Sequence, residues 1–391
     1  MKYIFITIVF FVITNGNAQN SIDSILADIA KNNKSIISTQ QYWEAKKTNY
    51  KVGLAPNNPK VEYEYLPGSP AGAGTQTDLF IIQEFDFPTA YIKKRQVANE
   101  QIAQIEFRLI AHRQDILLQA KQYCIELIYL NKQQIELNKR LLNAEKLYKN
   151  YTLKFDKGDA SSLDMNKANL QLIKVQNEVS LNTSEVKQYN QKLTELNGGT
   201  EIIFTETIYP LTPTIPDFKT LENTIEDNDP NLKSFYQQQK INQKKKELSR
   251  AMSLPKIEGG YRTQELLGQT FRGVHLGVTI PLWGNKNTVK YQREQLRFSE
   301  LQIEEHNTEH FYEIKQLYEK HETLKITFDK YQQLFSNQNN TELLDKSLKL
   351  GEISSIQYFI ETNYFYESYD EYLELEKEYH QVIAELYKYK L

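Results

Sequence analysis

Cysteine is almost missing: Cys124 is the only one among 391 residues. A lone thiol makes no disulfide and no cysteine-based metal site, so neither staples this fold. It lies deep in a helical pattern and is read as a small packing residue. No sign of charge dominates: 47 basic residues face 50 acidic ones. Without a basic stripe the chain has no electrostatic footprint for nucleic acid. Past the N-terminus nothing approaches the roughly 18 to 20 consecutive apolar residues of a membrane-spanning helix. The signatures of catalysis are missing too: no Gly-rich phosphate loop, no Gly-x-Ser-x-Gly elbow and no Cys/His nucleophile pair. His306 and His310 stand four apart, a spacing that can bind zinc, with Glu305 and Glu309 beside them. They lack the His-Glu-x-x-His order and are read as a solvated helical face. His112 and His321 fall on helix seams and are read as packed or paired core residues. Neither an enzyme nor a resident cofactor is expected.

The one apolar run is N-terminal. Lys2 precedes it over residues 4–13, and Gly16-Asn17-Ala18 supplies the small residues a signal peptidase reads. Residues 1–18 are taken as a cleaved secretory signal, too short to span a membrane, with the mature chain starting at Gln19. No cysteine follows the signal, so a lipid anchor is not expected.

What the chain does have is an internal repeat, which is read first because missing one misassigns the fold. Gly158-Asp159-Ala160-Ser161-Ser162-Leu163 returns 193 residues later as Gly351-Glu352-Ile353-Ser354-Ser355-Ile356. At the same offset Pro88 in Phe85-Asp86-Phe87-Pro88 matches Pro281 in Val278-Thr279-Ile280-Pro281. Each Pro is followed by 69 proline-free residues before its Gly. The first copy covers 19–199: a helix over 21–54, a hairpin over 60–87, a long helix over 89–155 and a return helix over 161–196 ended by Asn197-Gly198-Gly199. Residues 200–217 form an irregular linker. The second copy covers 218–391: a helix over 218–253, a hairpin over 256–281 with its loop near 263–271, a long helix over 285–349 and a return helix over 354–389.

The strands are two-faced. Val61, Tyr63 and Tyr65 alternate with Glu62 and Glu64; Leu79, Ile81, Phe85 and Phe87 alternate with Phe80, Ile82, Glu84 and Asp86. Val274, Leu276, Val278 and Ile280 share a face, with His275, Gly277 and Thr279 opposite. The long helices carry heptad seams. One runs from Ile116 through Ala120, Tyr123, Leu127, Leu130, Leu137, Leu141, Ala144 and Tyr148; the other through Ile314, Leu317, His321, Leu324, Phe328, Tyr331 and Phe335. Such a helix over 89–155 would be roughly 100 Å long. The last helix is rich in Tyr, read as inter-helix packing with some side chains facing a lumen.

Four strands in an open sheet cannot sit in lipid, because their edge N–H and C=O groups would go unpaired. The smallest membrane barrels have 8 strands. Four per chain therefore span only if several chains share one barrel, and three would supply twelve. The other solution is a small soluble sheet, as in a periplasmic adaptor or a coiled-coil scaffold without a barrel. Adaptors also use long helical hairpins, but typically one, followed by β-rich domains, whereas this chain ends in helix.

Three features are distinctive: Gly277-Val278-Thr279-Ile280-Pro281-Leu282-Trp283, Ile82-Gln83-Glu84-Phe85-Asp86-Phe87-Pro88 and the two Gly-centred breaks. Through them, and over about residues 21–389, the chain resembles the TolC family of outer-membrane efflux channels, especially the branch serving heavy-metal and multidrug exporters. It implies an α+β membrane protein: a homotrimer whose duplicated hairpins build a twelve-stranded outer-membrane barrel, continuous with a periplasmic tunnel of long antiparallel helices. It implies a passive exit duct for metal cations or small toxic compounds, fed by a periplasmic adaptor and an inner-membrane pump of the resistance-nodulation-division type. Phe87, Pro88, Ile280 and Pro281 would sit where strand becomes helix. Gly158, Ser161, Ser162, Gly351, Ser354 and Ser355 would form the helix tips that dock the adaptor. In the family, carboxylates just past the tip Gly line the closed entrance. Asp164 matches the first-copy position; Gln357 stands at the second and is not acidic, with Ile360 three residues on and Glu361 adjacent. A cation ring is therefore expected from Asp164, Asp159 and Glu352, against the alternative that these are solvated tip side chains. Pro88-Thr89-Ala90 also departs from the Pro-Gly-Lys frequent among relatives.

Overall fold

The computed structural model describes residues 21–70, 72–336 and 340–391. The expected signal over 1–18 lies outside the described residues. Eleven-residue helices open both copies: α1 (Ile22–Asn32) and, in the second copy, α5 (Phe218–Asn228). Each is followed by a second helix, α2 (Lys34–Tyr50) and α6 (Pro230–Ala251). The single helices expected over 21–54 and 218–253 are thus each broken once, at Asn33 and at Asp229. The cause is local. Both residues adopt extended backbone (ψ 121° and 113°) and turn their side chains onto the next helix's first N–H groups. In the second copy Pro230 adds to the break, since a residue before proline avoids the helical region.

Two hairpins form one antiparallel sheet in the order β1 (Lys60–Pro67), β2 (Thr75–Phe85), β3 (Lys256–Leu266), β4 (Gln269–Thr279). β1 and β4 are its edges, each paired on one side only. The second hairpin closes in a two-residue turn at Leu267-Gly268, both with positive φ (50° and 78°), rather than in the loop expected near 263–271. Positive φ at both central positions matches the right-handed twist of the strands. Leucine is a rare occupant of such a position, which hid the turn from the sequence.

α3 (Pro88–Asp156) runs unbroken for 69 residues, and α4 (Ser162–Leu196) returns. In the second copy α7 (Lys286–Ser336) and α8 (Asn340–Leu350) precede α9 (Ser355–Leu386), and a 3₁₀ turn at Lys388–Lys390 ends the chain. The heptad seams face inward. Leu130, Leu137, Ala144 and Tyr151, seven apart on α3, are all buried, as are Ile314, His321 and Leu324 on α7. Buried Cys124 belongs to this packing, and burial pushes its thiol up to about 12.

The chain divides into two compact units, and each draws on both copies of the repeat. The first takes residues up to Asn32, Ala120–Leu211 and Leu334–His380. Its core includes Ile29, Leu127, Leu130, Leu193 and Leu373, with Phe204 from the irregular linker. The second takes Asn33–Gln119, Thr212–Gln333 and Gln381–Leu391. It holds the sheet and a helical core around Ile105, Leu221, Ile241, Ile314 and Leu386.

Candidate functional site

Strand alternation and register give the sheet two unlike faces. One row crosses all four strands as Val61, Ile81, Tyr261 and Val274. Tyr63, Tyr65, Leu79, Phe85, Ile257, Leu276 and Val278 lie on the same face, and every one of these side chains is exposed, Val274 at 84% and Leu276 at 81%. An apolar patch of this kind marks contact with lipid or a partner. β2, β3 and β4 are each 11 residues long, the length a tilted strand needs to cross a bilayer. No described helix is long and apolar enough to cross a membrane.

The opposite face carries paired charges. Arg262 donates from Nη2 and Nε to Asp78 Oδ1 at 2.8 and 3.1 Å, and Gln76 donates to the other oxygen at 2.6 Å. Asp78 is 2% exposed, so its charge is fully committed. Glu84 and Glu258 stand directly opposite across β2 and β3, a like-charge arrangement that costs stability unless neutralised. Lys256 reaches Glu84 at 2.8 Å, which relieves it, and His275 Nε2 lies within hydrogen-bond distance of Glu258 Oε1 at 3.0 Å. Lys60 pairs with Glu62 on the edge strand.

The strand-to-helix junctions differ between copies. Phe87 accepts the Ala90 N–H at 2.7 Å, and Pro88 is the first residue of α3, where its missing N–H costs nothing. Ile280 and Pro281 follow β4, but α7 begins only at Lys286. Pro281 is therefore not in the first helical turn, and Ile280, Leu282 and Trp283 are all exposed in the connector.

The two glycine breaks share one geometry. Gly158 (φ 78°) and Gly351 (φ 73°) follow α3 and α8. Asp159 N–H reaches back to Lys154 C=O at 2.8 Å and Gly158 N–H to Phe155 C=O at 2.9 Å; Glu352 and Gly351 repeat this on Ser347 and Leu348. This is a Schellman ending, which needs the left-handed conformation glycine adopts cheaply. Of the two serines at each break, the first is the cap. Ser161 accepts the Asp164 N–H at 3.1 Å and Ser354 the Gln357 N–H at 3.2 Å. Ser162 opens α4, and Ser355 bonds the Tyr151 hydroxyl. Asp164 is half-buried and accepts the Ser161 hydroxyl at 2.7 Å. Asp159, Glu352, Gln357 and Glu361 are exposed.

The first unit also contains buried polar groups that no local pattern announced. Arg140, 4% exposed, forks onto Asp370 with both bonds at 2.8 Å and lies 4.3 Å over the Tyr366 ring. Lys132 pairs with Glu376 at 2.6 Å and sits over the Tyr209 ring. That ring stacks on His380 at 4.1 Å, and burial, aided by the Lys132 charge, pulls the His380 imidazole down to about 4. Tyr358, Tyr366 and Tyr379 of the last helix are buried, whereas Tyr364 is exposed. In the second unit His112 hydrogen-bonds Ser35, and His321 lies buried beside Glu322. His306 and His310 differ from the solvated face expected of them: both are half-buried and turned toward Asp229.

No family model and no curated protein matches the chain. Solved structures do. CusC, described for transmembrane channel formation, superposes with a TM-score of 0.74 at 13% identity, covering 95% of this chain and 92% of that one. The outer membrane protein VceC of Vibrio cholerae gives 0.75 at 11% identity over 94% and 95% of the two chains. The CmeC outer membrane channel of Campylobacter jejuni gives 0.71 at 13% identity over 94% and 85%. At such identities the likeness shows the fold.

Proposed function

We propose that this chain is one third of an outer-membrane exit duct of the TolC type, serving a tripartite efflux system. The observation that carries the reading is the two-faced sheet, whose apolar face is bare and whose polar face is internally paired. Three copies supply twelve strands; β4 of one pairs with β1 of the next and no edge remains. The apolar face then meets lipid and the polar face lines water. The full-length likeness to structures described as outer-membrane channels supports the same reading. A cleaved signal over 1–18 delivers the chain to the periplasm.

The helices continue the duct into the periplasm. The tips at Gly158 with Ser161 and Ser162, and at Gly351 with Ser354 and Ser355, dock a periplasmic adaptor. An inner-membrane pump of the resistance-nodulation-division type supplies the cargo, metal cations or small toxic compounds. Asp159, Asp164 and Glu352, tripled by symmetry, make a cation-attracting ring at the entrance. The Ser161 hydroxyl holds the Asp164 carboxylate in place, as a selectivity ring requires.

The test is direct. The chain should stay in the outer membrane through salt and alkaline washing, run as a detergent-resistant trimer and conduct ions in a planar bilayer. Asp164→Asn should reduce cation preference while leaving conductance. A chain that washes off as a soluble monomer is a scaffold, and the reading fails.

A further inference from the structure

We propose that Asp229, His306 and His310 bind a divalent transition cation, with zinc the best match, at the break between α5 and α6 where α7 passes. This goes beyond the duct reading and does not rest on it. The three side chains come from two elements. Asp229 caps α6, while the two histidines lie one turn apart on α7, so their rings share a face. Their rings stack at 5.3 Å with 16° between planes. His306 Nε2 lies 2.7 Å from Asp229 Oδ2, and one ligand atom from each residue falls within 4.8 Å of the others.

Two imidazoles and a carboxylate are three protein ligands of the kind zinc takes when a fourth position is left open. Nitrogen donors favour zinc and its transition-metal neighbours over magnesium and calcium, which want oxygen. The hydrogen bond now joining His306 to Asp229 need lengthen only by a few tenths of an ångström. Both atoms then sit at about 2.0–2.2 Å from a shared ion. The supporting shell is already in place. Asp229 Oδ1 accepts the Asn231 N–H at 2.8 Å, which fixes the carboxylate. The site opens on a cleft of about 350 Å³ that Glu313 and Gln114 also line, which leaves room for water as fourth ligand.

The repeat supplies an internal control. In the first copy the cap is neutral Asn33, and at the repeat offset of 193 Arg113 and Leu117 stand where the second copy has His306 and His310. The carboxylate and the two imidazoles occur together in the second copy alone.

Isothermal titration of the chelator-washed, detergent-purified full chain with zinc chloride tests the site. The expected result is one saturable zinc per chain, unaffected by millimolar magnesium. His310→Gln and Asp229→Asn should each weaken it by roughly tenfold or more. Asparagine still caps a helix, so D229N removes the ligand charge and keeps the fold, which circular dichroism verifies. Cobalt(II) should give the visible absorption of a four-coordinate ion, lost in H310Q. Absence of saturable zinc, or zinc bound equally by both variants, would overturn the proposal and leave a plain histidine–carboxylate hydrogen bond. Neither outcome depends on whether the chain conducts ions.

Discussion

At the scale of single residues, buried ionisable groups set how the helical part responds to acid. Folded His380 takes a proton only near 4, because burial and then the Lys132 charge oppose it. Unfolded, it takes one near 6.5. Between these values the unfolded chain binds the extra proton, so stability falls as pH drops through that window. The loss reaches about 3 kcal/mol at its acid end. His380→Phe keeps a ring against Tyr209 and removes the titration. Urea unfolding followed by circular dichroism between pH 4 and 7 should show a shallower acid slope in H380F than in the natural chain. Groups such as His380, Arg140 with Asp370 and Asp229 with His306 were not legible in the sequence. Each partner is far away along the chain, and no local periodicity marks which polar residue a fold will bury.

At the scale of elements, punctuation was the legible part. Pro88 opening α3, Gly158 and Gly351 closing their helices, and Asn197-Gly198-Gly199 ending α4 each act within a few residues of themselves, so their chemistry is written locally. The alternation of Val61, Tyr63 and Tyr65 with Glu62 and Glu64 told the sheet's faces for the same reason. The breaks at Asn33 and Asp229 escaped because a capping side chain also occurs mid-helix. The Leu267-Gly268 turn escaped because leucine carries no turn signal. The tips offer a test with its own control. Ser161→Ala removes the hydroxyl that accepts the Asp164 N–H and should cost about 1 kcal/mol. Ser162→Ala, one residue inside α4, should cost close to nothing. Proteolysis at the tip and thermal unfolding would distinguish them, and equal effects would count against the cap.

At the scale of the whole molecule, the consequences follow from a sheet with one greasy face and two raw edges. Leu276→Arg sets a charge on the apolar face and should cost about 2–4 kcal/mol per copy if that face meets the bilayer core. It should show as a lower melting temperature of the detergent-resistant oligomer. His275→Lys, on the opposite face, should be tolerated, because the added amine remains beside Glu258. Equal tolerance of both would mean that lipid touches neither. The edges carry a genetic corollary. In the proposed trimer β4 of each copy would pair head-to-tail with β1 of the next, so a ring of three would have three identical seams and no spare one. In such a ring one copy whose β4 edge is blocked by proline would spoil the whole. Co-expressed in equal amounts with the natural chain, it leaves about one ring in eight intact under random mixing. Such an allele would be dominant, its harm set by the share of poisoned rings rather than by the dose of sound chain.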